Sequence, residues 1–297
     1  MKTTAASSSG AVLVVGSSGK FAGLVVPELV KRGARVRGLV RKSSESDGVI
    51  DRGAAEIAVG DLTDPSSMEA AFEGIDSVFY IAPAFIQDEV NIGRATVRAA
   101  KTAGVRRVVF SSVIHPILSH LSNHSANAPV EEELLNSGME YSFLHPAMFF
   151  QNFASGWPNV VKSGTFAEPW STETRFSRVD FRDVAEVAAI ALTEDRLTYG
   201  TFELCAPGHL NRWDVASLMS EAIGKNIQAA KLHASPKASG EAPNDEQMSR
   251  MKAMFDWYDQ HALLGSAVTL QAILEREPRS LLSYFRELAR KSLEDSN

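Results

Sequence analysis

Residues 11–15, AVLVV, form a short apolar run, and the pattern after it turns amphipathic over residues 20–32 before Gly33 stops it. The next stretch, 35–40, RVRGLV, is followed by Arg41-Lys42. This spacing predicts a strand, a turn at Gly16-Ser17-Ser18-Gly19, a helix and a second strand. Pro27 falls inside the predicted helix, where its missing N–H predicts a kink or a frayed first turn. The alternation continues, with strands predicted over 56–59, 77–81, 107–110 and 141–144 and helices over 65–72, 88–103 and 130–136. Strands alternating with helices build a parallel sheet covered on both faces, and the carboxyl ends of its strands line one crevice. Ser17, Arg41, Asp61, Ala82, Ser111 and His145 fall at those ends.

After Pro146 the chain becomes aromatic-rich and irregular. A helix is expected over 184–192 with Asp183 as its N-cap, then a short strand over 202–204 and an amphipathic helix over 213–223. Residues 234–246, rich in Ser, Pro, Ala and acids, read as a polar linker or lid, and 248–289 as a final helical part. The fold class is therefore α/β: a Rossmann-type doubly wound parallel sheet with a smaller C-terminal α+β substrate lobe. The expected organisation is a flexible segment 1–10, a dinucleotide-binding domain 11–146, and a substrate or cap lobe over most of 147–297, with about 176–193 returning to the main core.

The first turn carries the chemistry. Its pattern is G-x-x-G-x-x-A, with Gly16 and Gly19 allowing close backbone approach and Ala22 allowing the helix to pack near the strand. Backbone N–H groups at such a turn can face a pyrophosphate at the positive end of a helix, whereas a plain tight turn needs no ligand. Two cations after the second strand, Arg41 and Lys42, suit a ribose 2′-phosphate and point to NADP(H), although the same pair also fits a solvated strand end.

Composition narrows the rest. The 297 residues are 44% hydrophobic, enough for one large core or a core with a smaller lobe. Thirty basic and 36 acidic residues are interspersed for a net charge of -6, which leaves no basic face for nucleic acid and no polybasic membrane patch. The single cysteine, Cys205, excludes an intrachain disulfide and fits a reducing compartment. The apolar run after the polar N-terminal ten residues is too short for a signal peptide or a membrane span, so the cytoplasm is the expected location. No metal-ligand spacing stands out, and the expected partner is a small apolar molecule or a regulatory protein, with the chain a monomer or homodimer.

Several dispersed segments, in order, carry a resemblance: GSSGKFA, VRGLVRK, GDLTDPSSMEAAFEGIDSVFYIAP, VVFSSV, VEEELLNSGMEYSFLHPAMFFQN, VDFRDVAEVAAIAL, FDWYDQHALLG and REPRS. From about Val12 to Ala289 the chain resembles the NmrA-like branch of the atypical short-chain dehydrogenase/reductase superfamily. The resemblance implies NADP(H) at the strand ends and a small lobe over the nicotinamide. It assigns the turn residues Gly16, Ser17, Ser18, Gly19, Lys20 and Phe21 to the cofactor, with Arg41 and Lys42 on the 2′-phosphate. Asp61 and Leu62 would flank the adenine, Ile81, Ala82 and Pro83 would follow the cofactor, and Ser111, Asn127 and His145 would complete the cofactor's surroundings.

The expected chemistry departs from that superfamily. Its reductases usually carry Tyr-x-x-x-Lys, the tyrosine protonating the developing alkoxide and the lysine lowering its pKa. Here the stretch reads Asn123-His124-Ser125-Ala126-Asn127, so asparagines stand in both places. Histidine titrates near neutral pH, and the segment HPILSHLSNH makes His124 and then His115 the candidate acids, with Ser112 beside them. Met148, Phe149, Phe150, Phe153 and Trp157 suggest an apolar substrate pocket. Three functions fit: an NADPH-dependent oxidoreductase of a small apolar carbonyl or conjugated double bond, a non-catalytic NADP(H)-binding redox sensor, or a non-redox enzyme with histidine acid–base chemistry.

Overall fold

The computed structural model of the chain describes residues 10–83, 86, 88–231 and 244–294. Residues 1–9 of the predicted flexible segment and 234–243 of the predicted linker lie outside the described residues. The chain divides into two compact units. The first comprises Met1–Ser119, His124–His145 and Val184–Phe202, and the second His120–Asn123, Pro146–Asp183 and Glu203–Asn297.

In chain order the first elements are β1 (Ala11–Val14), α1 (Val25–Lys31), β2 (Val36–Val40), α2 (Ser46–Ile50), β3 (Glu56–Val59), α3 (Pro65–Phe72) and β4 (Ile75–Ile81). They continue with α4 (Glu89–Thr102), β5 (Arg107–Ser111), α5 (Ser122–Ser125), α6 (Ala128–Leu135) and β6 (Glu140–Pro146). Next come β7 (Met148–Phe149), α7 (Phe153–Ser163), β8 (Thr165–Glu168), β9 (Arg178–Val179), α8 (Phe181–Thr193) and β10 (Gly200–Leu204). The last are α9 (Arg212–Ile223), β11 (Gln228–Lys231), α10 (Asp245–His261), α11 (Val268–Leu274) and α12 (Leu281–Glu294).

The main sheet has the order β10-β6-β5-β4-β1-β2-β3, and the pairings from β3 through β6 are parallel. The order reverses between β1 and β4, the switch point beyond which ligands of doubly wound sheets bind. Strands buried on both faces need continuous apolar sequence, and β1 and β5 are buried at every position. Leu13, Phe72, Tyr80, Val108, Phe110 and Phe143 belong to the core under them.

Arg107 is the charged exception in β5: its side chain is 2% exposed, and it donates to Glu140 and to the carbonyls of Ala191 and Glu194. Its neighbour Arg106 grips Asp76 with two nitrogens, at 3.1 and 2.8 Å, and holds that carboxyl below its ordinary value. A depressed carboxylate contributes stability above its unfolded pKa and loses it as pH falls through the folded one. Asp76→Asn is therefore expected to cost up to about 1 kcal/mol at pH 7, since the pair is part exposed. The deficit should narrow once pH drops below about 4. Urea unfolding at a series of pH values reads this directly; a deficit that persists unchanged in acid would contradict the assignment.

The second unit has its own core, which includes Phe150, Phe153, Trp157, Val215, Met219 and Phe285. Here α12 packs against α9 and α7. Two small parallel pairs, β7 with β9 and β8 with β11, complete it.

Three sequence-based expectations are corrected. The helix expected over 20–32 is a 3-10 turn at Ala22–Leu24 followed by α1, and Pro27 sits in the first turn of α1, where an N–H has no intrahelical acceptor to lose. Asp183 is not the N-cap of α8. That place belongs to Asp180, whose Oδ1 accepts from the Arg182 N–H at 2.9 Å. The final helical part is three helices, broken at Ala262, which has φ 63°, and before Leu281, where Pro278 interrupts the pattern.

Candidate functional site

At the end of β1 the chain turns through Gly16, in the left-handed region at φ 71°, and closes when the Gly19 N–H donates to the Gly16 carbonyl at 2.8 Å. A Cβ on Gly19 would come within 3.0 Å of that carbonyl. Ser17 is wholly buried and gives both its donors, backbone N–H and Oγ, to the Leu39 carbonyl of β2. Its own carbonyl accepts from Arg52 Nη1 at 2.5 Å. Gly38 permits this arrangement, because a Cβ there would lie 2.7 Å from Ser17 Oγ and 2.5 Å from Val49 Cγ1. Ser17 thus anchors the turn to β2, and Ser18, Gly19 and Lys20 are left towards the surface. Lys20 Nζ lies 5.2 Å over the Phe21 ring.

Beyond β2, Arg41 and Lys42 are exposed, and Glu45 Oε2 accepts from the Arg41 N–H and from Ser18 Oγ, each at 3.1 Å. Asp61 Oδ1 accepts from Thr63 Oγ1 at 2.7 Å and its N–H at 2.8 Å, and these bonds hold the Asp61 carboxyl below its usual range, with Arg41 adding to the effect. Leu62 and Ala82 pack against the core, and Ile81 and Pro83 are half-buried at the end of β4.

The ends of β5 and β6 bring acid–base groups together. Ser112 Oγ donates to Glu131 Oε1 at 2.5 Å, and His145 Nε2 lies 2.9 Å from the same oxygen. Both the glutamate and histidine side chains are 14% exposed. Among the described residues no donor reaches Glu131 Oε2. Beside this trio, Ser111 is buried and its Oγ has no partner among the described residues. Glu131 was missed by the sequence reading, yet it lies four residues after Asn127, on the same face of α6. Its place in the first turn of α6 also complements the helix dipole.

Of the other predicted residues, Asn127 meets this trio through its backbone, its carbonyl accepting from the Glu131 N–H at 3.0 Å. His124 is wholly buried, and its Nδ1 donates to the Ile114 carbonyl at 2.8 Å. His115 has φ 55°, and its carbonyl accepts from the Leu118 N–H. Asn127 Nδ2 donates to the His124 carbonyl at 3.4 Å. His120 belongs to the second unit, where its ring lies 5.9 Å from that of Trp257. Asn123 hydrogen-bonds Tyr258, whose phenol burial pushes up to about 12. Neither asparagine brings a charge. Among the described residues no group of three or more His, Cys, Asp or Glu is arranged to hold a metal ion, and no helix is long and apolar enough to cross a membrane.

Of the predicted apolar pocket, Phe150, Phe153 and Trp157 are committed to core packing, with Trp157 stacked 5.5 Å from Phe285. Met148 and Phe149 are half-buried in β7, the Phe149 ring lying 4.9 Å from Phe181. An open cavity of about 530 Å³ in the second unit is lined instead by Ala206, Pro207, His209, Leu264 and their neighbours.

Comparison with known proteins places these features. The model of a family described as the NmrA-like family matches residues 8–288. An NAD(P)H azoreductase of Xenophilus azovorans is 30% identical over 226 residues, covering 73% of this chain and 75% of the relative. A crystal structure of the Citrobacter sp. triphenylmethane reductase complexed with NADP(H) superposes with a TM-score of 0.81 at 21% identity, covering 94% of this chain and 99% of that one. NmrA, a negative transcriptional regulator solved in complex with NADP, superposes with a TM-score of 0.79 at 16% identity, covering 98% of each chain.

Proposed function

The chain belongs to the NmrA-like family, and on that footing we propose that it is an NADPH-dependent oxidoreductase of a small apolar carbonyl or conjugated acceptor, with Glu131, His145 and Ser112 as its proton source. Relatives named as reductases of azo compounds, quinones and triphenylmethane dyes support the reaction class. One observation carries the chemistry: Ser112 Oγ and His145 Nε2 converge on a single oxygen of Glu131 at the ends of β5 and β6.

The residues at the strand ends fit the dinucleotide. The Gly16–Gly19 turn would crowd an added Cβ at Gly19 against the Gly16 carbonyl, Ser18 offers a hydroxyl, and Arg41 and Lys42 are exposed cations with no salt bridge among the described residues. Bound there, NADPH would supply the hydride. The chain's own part is to orient the acceptor and to deliver one proton as negative charge develops on it. Ser112 is the terminal donor, and Glu131 replaces its proton from the His145 side of the network. This arrangement takes the place of the missing tyrosine and lysine.

The test is loss of NADPH absorbance with a panel of quinones, azo dyes, enones and aldehydes. Turnover of at least one acceptor is expected, and Glu131→Gln should lower its kcat about 100-fold, the usual scale for a lost acid–base group, with dinucleotide affinity unchanged. Undiminished kcat in that variant would remove the trio from the mechanism.

A second reading keeps the cofactor and drops the reaction. Asn123 and Asn127 are engaged in structural hydrogen bonds, and the likeness to a transcriptional regulator supports a redox sensor that reports dinucleotide occupancy to a protein partner. Intact NADPH binding with no turnover across the panel would favour it.

A further inference from the structure

We propose that Glu45 sets how strongly the chain discriminates between dinucleotides with and without a 2′-phosphate, because its carboxylate already occupies the donors that such a phosphate would seek. The inference rests on the dinucleotide reading above and concerns a residue outside the catalytic trio. In doubly wound folds the segment after the second strand meets the adenosine ribose: an acidic residue there accepts from the free 2′-hydroxyl, whereas a basic one accommodates a 2′-phosphate. This chain presents both.

After β2 the backbone folds through a 3-10 turn, Ser43–Glu45, and this turn carries Glu45 back over the strand end. Its Oε2 accepts from the Arg41 N–H at 3.1 Å and from Ser18 Oγ at 3.1 Å, bridging the strand end to the glycine turn 27 residues earlier. Glu45 and Ser18 are half-buried, while Arg41 and Lys42 stand exposed. Neither cation has a salt bridge to Glu45 or to any other described residue. One internal anion thus holds two neutral donors, while Arg41 acts on the Asp61 carboxylate through space only and Lys42 stands exposed beside it.

The consequences for the two dinucleotide classes differ in sign. A ribose with a free 2′-hydroxyl can donate to the carboxylate as it stands, which leaves the Ser18 and Arg41 contacts in place. A 2′-phosphate gains Arg41 and Lys42 but meets a like charge, so Glu45 must swing out and release both donors to it. The site accepts both classes, and Glu45 holds back the preference that the two cations alone would give.

Titrating the full chain with NADPH and with NADH, by calorimetry and by nicotinamide fluorescence, tests this without any turnover. Glu45→Gln keeps the size of the side chain and removes its charge. It should raise the NADPH-over-NADH affinity ratio about tenfold, the scale of one charge contact largely screened by water, chiefly by tightening NADPH. Glu45→Ala should raise the ratio as well, and Arg41→Ala should lower it. A ratio in Glu45→Gln equal to or below that of the unmodified chain, with both dinucleotides still binding, would overturn the role of Glu45 alone. Failure of the unmodified chain to bind either dinucleotide would overturn the cofactor reading, and this inference with it.

Discussion

Phe285→Ala is expected to destabilise the second unit by about 4 kcal/mol, in the range typical of truncating a large aromatic in a packed core. Phe285 has no exposed surface, and its ring meets Phe153 edge-on at 5.1 Å and Trp157 in a stack at 5.5 Å. Removing it leaves three aromatic side chains, with Tyr284, facing a void that rigid neighbours cannot close. The loss combines transferred area with the cavity left behind, which is why an aromatic at the centre costs more than one at an edge. Hydrogen exchange is the informative measurement. Protection should fall first in α7, α9 and α12, while the amides of β1, β4 and β5 keep theirs. Uniform loss through both units would mean that the core of the second unit does not open on its own.

Asp183→Ala should cost nearly as much, about 3 kcal/mol, at the low end of what breaking a buried charge pair costs. The Asp183 carboxylate is wholly buried, and its Oδ1 accepts from Arg276 Nη2 at 2.8 Å and from Arg279 Nη1, while Oδ2 accepts from the Arg279 N–H at 2.8 Å. The two guanidinium side chains are 35% and 33% exposed, so they can turn to water after the substitution, which keeps the cost below the upper range. The Arg279 N–H has no such escape. A fall of roughly 5 °C in Tm follows for a chain of this size. A shift under about 2 °C would show that the backbone of the 276–280 segment finds another acceptor.

Asp183 also marks where sequence reading stops. VDFRD and REPRS were visible as separate markers, but nothing local ties them: the partners lie 93 and 96 residues apart and meet only when both ends of the second unit are folded. The central strands were legible because burial on both faces requires apolar runs, as in β1, and predicted and observed limits also coincide for the partly exposed β3 and for α3. The helix after the glycine turn began late because Pro27 tolerates only a first-turn position, which the apolar periodicity alone does not register. The tight turn after β1 was readable from Gly16, Gly19 and Ala22. The bonds behind it were not, since Ser17 ties the turn to β2 and Glu45 joins Ser18 to the Arg41 N–H across 27 residues.

The same limit applied to the acid–base groups. Histidines draw the eye because they titrate near neutrality, yet burial is not written in local spacing, and His124 is wholly buried. Glu131 stood in plain view in VEEELL as one of three consecutive acids. Only the return of β6 beside β5 selects which of them faces His145 and Ser112.

The wholly buried Cys205 gives the chain a built-in clock. Burial pushes its thiol up to about 12, with the nearby Glu203 carboxylate adding to the rise, so almost none of it is the reactive thiolate at neutral pH. A disulfide reagent can capture this sulfur only after the second unit opens, and the capture rate therefore times that opening in the unmodified chain. It also means that a surface cysteine introduced as an attachment point for a dye or spin probe would react alone, with no native thiol to remove first.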